Sequence, residues 1–239
     1  MNATPKLITV MQRVEMKYLL SPAQVALLRQ GLQGRMQSDA YGLTTIGSLY
    51  YDTPDHRLIN RSLEQPGYKE KIRLRSYGVA DNTSPVFLEL KRKAEGVVYK
   101  RRAAATLDGV QAFFAGQDRL SDDAQIDREL AYFRDFYGDL APACLIMYDR
   151  TAYEEPGGDL RLTIDANPRY RTDRLDLRLP MEGTPLLPKG WAVLEIKVQQ
   201  AMPLWLTALL AKGKIYKTAF SKYGAAYRME NAPALRRSA

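Results

Sequence analysis

The sequence predicts an α+β fold: a closed antiparallel β-barrel of about eight strands, with helices packed on the outside. Three observations lead there. Many segments alternate polar and apolar residues with period two, as half-buried strands do. Amphipathic helical patterns lie among them and need an apolar surface to pack on. Several strands repeat one charge-rich face in which carboxylates stand two residues from cations. Strand by strand, a charged face turned to water accounts for the pattern. A sandwich, however, uses its apolar sheet faces against each other and leaves little for helices. A closed sheet with its apolar side outward under helices and its charged side inward satisfies all three observations.

The first strand is Val10–Tyr18, where Arg13, Glu15 and Lys17 oppose Val14, Met16 and Tyr18. A helix follows over Ser21–Leu32, with Ser21 as N-cap and Pro22 in the first helical position. Ser48–Asp52 is a strand, and His56 falls in a polar loop after Pro54. Tyr68–Tyr77 places Lys69, Lys71, Arg73 and Arg75 on one face, with Ile72 and Leu74 on the other. The Asp81–Pro85 cluster reads as a hairpin loop leading into Val86–Lys93. There Glu89, Lys91 and Lys93 oppose Leu88 and Leu90. In the next strand, Val97–Thr106, Arg101 and Arg102 face opposite ways, so at most one of them can line an interior.

Helices are predicted over Asp108–Ala115, Ala124–Tyr137, Pro203–Lys212 and Ser221–Met229. Strands are predicted over Ala143–Tyr153, Leu160–Asp165, Arg169–Asp176 and Trp191–Val198. Tyr148 and Arg150 share a face; Arg161, Thr163 and Asp165 oppose Leu160, Leu162 and Ile164; Glu195 and Lys197 oppose Leu194, Ile196 and Val198. Without a repeat or a clean linker, residues 1–230 read as a single domain and 231–239 as a flexible tail.

Of 239 residues, 46% are hydrophobic and 26% charged, which excludes a disordered chain. The net charge of +8 favours an anionic partner. A single cysteine, Cys144, excludes a disulfide framework or a multi-Cys metal site, and it reads as an inert buried thiol. A single histidine, His56, excludes a His-rich metal centre. One cysteine and the lack of a charged-then-apolar leader point to the cytoplasm. The apolar stretch Ala201–Leu210 is too short for a transmembrane segment.

The run Arg13-Val14-Glu15-Met16-Lys17-Tyr18 resembles the opening strand of the triphosphate tunnel enzymes. More specifically, it is similar to the polyphosphate polymerase domain of the vacuolar transporter chaperone (VTC) family. Five further segments follow in that family's order across nearly the whole chain: residues 48–53, Lys71–Arg75, Leu88–Lys93, Tyr148–Arg150 and Leu194–Lys197. Phe220-Ser221-Lys222-Tyr223-Gly224 completes the set. Each is weak alone; the ordered set is specific.

The resemblance implies a tunnel lined by Arg, Lys and Glu. It implies that Lys17, Arg73, Arg75, Lys91, Arg150 and Lys222 bind phosphates and carry the catalysis. Arg13, Lys71, Lys197 and Ser221 would contribute further to substrate binding. Glu195, with Glu15 and Glu89, would serve a divalent metal, Mn²⁺ or Mg²⁺. The wider superfamily, which includes thiamine triphosphatases and class IV adenylate cyclases, opens with Glu-x-Glu-x-Lys. Here the first Glu is replaced by Arg13, which removes one carboxylate and favours the polymerase branch.

The expected activity is therefore polyphosphate synthesis from a nucleoside triphosphate. The alternatives are an inorganic tripolyphosphatase or nucleoside triphosphatase, for which Glu89 or Glu15 could activate water, and a non-catalytic polyphosphate-binding module. Nucleic acid is not an expected partner, because no RRM, KH or zinc signature accompanies the charge.

Overall fold

In the computed structural model, the described residues are 14–64, 67–95, 97–199 and 201–235. They form nine strands and six helices. The strands hydrogen-bond in the order β1-β9-β7-β6-β2-β3-β4-β5, with β8 paired to β7. Contacts along the chain group into two compact units. The first draws on residues up to 42, 151–164 and 191–219; the second on 43–150, 165–190 and 220 onward.

In the first unit, β1 (Val14–Leu20) pairs antiparallel with β9 (Ala192–Val198), in a register that sets Lys17 opposite Glu195 and Glu15 opposite Lys197. Helix α1 (Pro22–Leu32) starts in the predicted place. Ser21 Oγ accepts from Gln24 N at 3.4 Å, and Gln24 Oε1 accepts from Ser21 N at 2.9 Å, a reciprocal cap. Helix α5 (Leu204–Lys212) comes close to α1 at Gly31, where an added Cβ would collide with the Leu209 methyl groups. Tyr18, Leu28, Leu32, Leu194, Ile196, Leu206 and Leu210 fill this core.

In the second unit, β2 (Gln37–Asp52), β3 (Tyr68–Tyr77), β4 (Val86–Ala94) and β5 (Val97–Ala105) form successive antiparallel pairs. Their apolar parity (Leu49, Tyr51, Ile72, Leu74, Leu88, Leu90, Ala103) packs beneath α3 (Leu107–Phe114) and α4 (Ala124–Tyr137), through Val110, Phe113, Leu130 and Phe133. Helices therefore cover the apolar side, as the patterning predicts. Strand β6 (Ala141–Glu154) follows. One strand, β7 (Arg161–Arg171), replaces the two predicted between 160 and 176, and the two-residue β8 (Thr184–Pro185) lies on its end. Beyond Arg171 the chain turns, so the alternation over 172–176 does not build a strand.

Two helices differ from expectation. Helix α2 (Arg57–Leu63) occupies what read as a polar loop. Its N-cap, His56, is left-handed (φ 55°) and makes no side-chain cap. Asp52 supplies the cap from the end of β2. Its Oδ1 accepts from the Thr53 and Leu58 amides at 2.9 and 2.8 Å, and its Oδ2 from the Ile59 amide and the Tyr223 hydroxyl, both at 3.0 Å. Tyr223 belongs to α6 (Lys222–Leu235), which runs past its predicted end at Met229. Asp52 is 1% exposed and ties β2, α2 and α6 together. Asp52→Ala should therefore lower stability by about 2–4 kcal/mol, because buried donors lose their acceptor. Urea unfolding measures this, and a change within about 0.5 kcal/mol would contradict the assignment.

Helix α6 packs through Tyr223 and Ala226 on Tyr50, Cys144, Ile146, Tyr148 and Tyr170. Cys144 is buried as expected, and burial pushes its thiol up to about 12, so it is unreactive. His56 is half-buried, its ring edge-on to Tyr227 at 5.3 Å.

Candidate anion-binding site

Strand pleat alone puts the cations of the second unit on one face. The register sets Tyr50 beside Arg73, Arg73 beside Glu89, and Glu89 beside Arg102; one step along, Lys71, Lys91 and Lys100 line up. At the centre is Glu89, 1% exposed. Arg73 Nη2 lies 2.8 Å from Glu89 Oε2, and Arg75 Nε lies 3.7 Å from it. Lys100 Nζ is 2.7 Å from Oε1, and Arg102 Nε is 3.7 Å away. Arg73 also donates to the Tyr50 hydroxyl at 3.0 Å, and Arg75 to the Tyr148 hydroxyl at 3.4 Å.

A second carboxylate, Asp165, is fully buried. Arg150 binds it with a two-pronged fork, Nε to Oδ1 at 2.6 Å and Nη2 to Oδ2 at 2.8 Å. Lys222 Nζ reaches the same Oδ2 at 2.6 Å and lies 4.3 Å from the Tyr148 ring centroid. Tyr148 thus joins the Asp165 cluster to Arg75. Lys71 Nζ donates to Ser221 Oγ at 3.2 Å, and the Tyr223 ring stacks on Tyr50 at 4.5 Å. Arg73, Arg75, Lys71, Glu89, Lys91, Arg150, Ser221 and Lys222, all singled out by the sequence, therefore sit in one unit around one sheet face.

Sequence reasoning passed over Asp165, Lys100 and Arg102 as site residues. The strand parity did place Asp165 on the polar side of β7, but the cations it holds come from elsewhere in the chain. Arg102 is the arginine of its pair that joins this face; Arg101 turns the other way, to Glu129 at 2.9 Å.

Cations on this face far outnumber its two carboxylates, and the tyrosines report the resulting field. Burial alone would raise the Tyr50 phenol, yet Arg73, Arg75 and Lys222 hold it below the ordinary tyrosine value. Tyr148, equally buried, is lowered by Arg75, Arg150 and Lys222 against the opposing charge of Asp165. Burial and the neighbouring arginines lower the Lys100 amine, with Glu89 opposing. Burial opposes ionisation of Glu89, but Arg73, Arg75 and Lys100 overcome it and hold the carboxyl at about 2. Several polar atoms here are buried without a hydrogen-bond partner, among them Ser48 Oγ, Arg75 Nε and Arg102 Nε. Such a cation-rich face suits a polyanion.

This field makes a testable prediction. Ionising Tyr50 or Tyr148 adds negative charge where an anion would bind. Tripolyphosphate affinity should therefore fall as the pH rises towards the tyrosine range. By linkage, bound tripolyphosphate should move tyrosine ionisation to higher pH. Tyrosinate absorbance followed with and without ligand measures the shift; coincident curves would contradict it.

The remaining expected residues lie in the first unit. Lys17 Nζ is 3.5 Å from Glu15, and Lys197 Nζ is 3.5 Å from Glu195. Register and parity put all four on one face of the β1–β9 pair, with the two carboxylates diagonal to each other. Arg13 lies outside the described residues. No group of three or more His, Cys, Asp or Glu that could hold a metal ion occurs among the described residues. Nor, among them, is any helix long and apolar enough to cross a membrane.

The profile of the VTC domain family matches residues 12–231, nearly the full length of the chain. The chain belongs to the VTC domain family. Among solved structures it is similar to a protein from Hippeastrum, described as a candidate adenylyl cyclase with a dominant triphosphatase activity. That match has 19% identity and a TM-score of 0.53, and covers 92% of this chain and 96% of the other. A protein from Bacillus halodurans, described as a candidate adenylate cyclase, is similar with 12% identity and a TM-score of 0.55, covering 87% and 93%. At these identities the likeness carries the fold alone. No curated protein sequence matches.

Proposed function

We propose that the VTC-family chain binds a triphosphate or polyphosphate on its charged sheet face, within a closed tunnel barrel, and transfers phosphoryl groups there. The reaction we infer is polyphosphate synthesis from a nucleoside triphosphate. The observation that carries this reading is the excess positive charge of Arg73, Arg75, Lys100, Arg102, Arg150 and Lys222 gathered around only two buried carboxylates, Glu89 and Asp165.

In this reading a terminal oxygen of the acceptor chain attacks the γ-phosphorus of the donor. The new P–O bond forms as the bond to the β,γ-bridging oxygen breaks, and the nucleoside diphosphate leaves with that oxygen. Charge builds on the phosphoryl oxygens, and the guanidinium forks of Arg73 and Arg75 stabilise it. A chain-end phosphate is already nucleophilic and needs no strong base, whereas water does. Held at about 2 by its cations, Glu89 is too weak a base for that task. Asp165, engaged by Arg150 and Lys222, is likewise lowered. We therefore assign Glu89 as the buried counter-charge of the cluster, in place of the metal-ligand or base role that its sequence position suggested. The same features favour synthesis over hydrolysis.

For a divalent metal, the hard oxygens of Glu15 and Glu195 suit Mg²⁺ or Mn²⁺, which bind through one or two carboxylates with waters and phosphate oxygens completing the shell. When bound, the ion would supply further neutralisation of phosphate charge. Glu195→Gln keeps the shape and removes the charge. It should weaken Mn²⁺ binding about tenfold with unchanged folding, read by calorimetry; unchanged affinity would remove Glu195 from that role.

The test of function is incubation with ATP and Mn²⁺ followed by gel analysis. Long phosphate chains are the expected product. Free phosphate without chains would establish a triphosphatase, and tight binding with neither product a binding module.

A further inference from the structure

On the opposite face of β3 from Arg73, among side chains of the parity that carries Glu70 and Ile72, lies a cavity of about 570 Å³. It is framed by α2 and α4 and falls within the range of small-molecule pockets, about 300–1,000 Å³. Its carboxylates are already neutralised: Arg92 binds Glu70 at 2.6 Å, and Arg101 binds Glu129 at 2.9 Å. Its remaining cations are not. Arg57, Arg61 and Arg128 line the cavity and are exposed, and none forms an ion pair with a carboxylate among the described residues. Beside them stand two rings that a folded chain ordinarily buries. Tyr132 is 66% and Phe136 56% exposed; they stack with centroids 6.2 Å apart and planes 23° from parallel. The Arg57 guanidinium lies 5.8 Å from the Phe136 centroid, so charge and ring surface adjoin.

We propose that this cavity is a second ligand site, one that takes a nucleotide: a base on the Tyr132–Phe136 rings and a phosphate on the guanidinium groups that no carboxylate neutralises. A polyphosphate chain would use the arginines and leave the rings exposed. An uncharged aromatic would use the rings and leave the charge unmet. A nucleoside monophosphate or diphosphate uses both, since stacking and bidentate phosphate contacts come from adjacent parts of one molecule. Because side chains alternate across the sheet, the ligand here cannot be the one that contacts Arg73 and Arg75. Occupancy is thus independent of the phosphoryl-transfer reading.

The test is calorimetric titration of the full chain with AMP, adenosine and ribose 5-phosphate. AMP should bind wild type, and adenosine and ribose 5-phosphate should each bind at least about tenfold more weakly. Tyr132→Ala and Arg128→Gln change exposed side chains and should each weaken AMP about tenfold, with thermal melts unchanged. Arg73→Ala should leave AMP affinity as it is. Absence of AMP binding would overturn the proposal. So would loss of AMP binding in Arg73→Ala equal to that in Arg128→Gln, which would move AMP to the other face. Ribose 5-phosphate binding as tight as AMP, with no effect of Tyr132→Ala, would reduce the site to a phosphate or acidic-peptide patch and would also overturn it.

Discussion

Arg73→Ala should weaken tripolyphosphate binding by about 2–4 kcal/mol while changing the stability of the empty protein by less than about 1 kcal/mol. The asymmetry follows from what Arg73 touches. Its guanidinium holds Glu89 at 2.8 Å and the Tyr50 hydroxyl at 3.0 Å, but Glu89 keeps Lys100 at 2.7 Å, with Arg75 and Arg102 nearby. Removing one of four cations leaves the buried carboxylate compensated and relieves repulsion among the rest. A phosphate bound on this face as proposed would have no such reserve, because the positive charge of Arg73 beside it is lost. Arg73→Lys should restore only part of the affinity, since a point charge cannot reproduce the two-pronged contact. Calorimetric titration with parallel thermal melts checks this, with Arg119→Ala, an exposed arginine, as the comparison. Equal affinity in Arg73→Ala and Arg119→Ala would remove Arg73 from the site.

Glu89→Gln should do the reverse. Its carboxylate is almost fully buried and faces Arg73, Arg75, Lys100 and Arg102. An amide of the same shape leaves those cations without their counter-charge, so the empty protein should lose about 3–5 kcal/mol. Tripolyphosphate then meets a more positive face, and its affinity should rise about tenfold. The melting temperature should recover when ligand is added. The same logic sets the acid limit. The Glu89 carboxyl is held at about 2 against an ordinary value of 4.5. Its stabilising contribution is therefore complete above pH 4.5 and is lost as the pH falls towards 2. Unchanged stability in Glu89→Gln with a fall in affinity would instead make Glu89 a ligand-binding group.

What the sequence made legible is what period two governs. In Tyr68–Tyr77 the alternation of Lys71, Arg73 and Arg75 with Ile72 and Leu74 fixes both the buried side and the charged side. The strand has those same limits, with the apolar set under α3 and α4. Local caps were legible for the same reason: Ser21 and Gln24 act within one turn. Features set by distant side chains were not. Helix α2 takes its caps from Asp52 and Thr53, whose side chains accept from the Leu58, Ile59 and Arg57 amides across the left-handed His56, so the residue at the N-cap position itself does not mark its start. The larger N-terminal part of β2, Gln37–Gly47, is interrupted by Gly42, Thr44, Thr45 and Gly47 and lacks a clear alternation. Asp165 lies on the expected side of its strand. Its partners Arg150 and Lys222 come from β6 and α6, and neither spacing nor parity pairs them with it.

The most direct test is the structure of the protein crystallised with tripolyphosphate. The expected result is a chain of phosphates in contact with the guanidinium groups of Arg73 and Arg75 and the amines of Lys91 and Lys100, displacing none of the helices α3 or α4 beneath the sheet. Phosphates found only at Arg57, Arg61 and Arg128, or only on outlying exposed arginines such as Arg119, would contradict the assignment of the charged sheet face as the site of phosphoryl transfer.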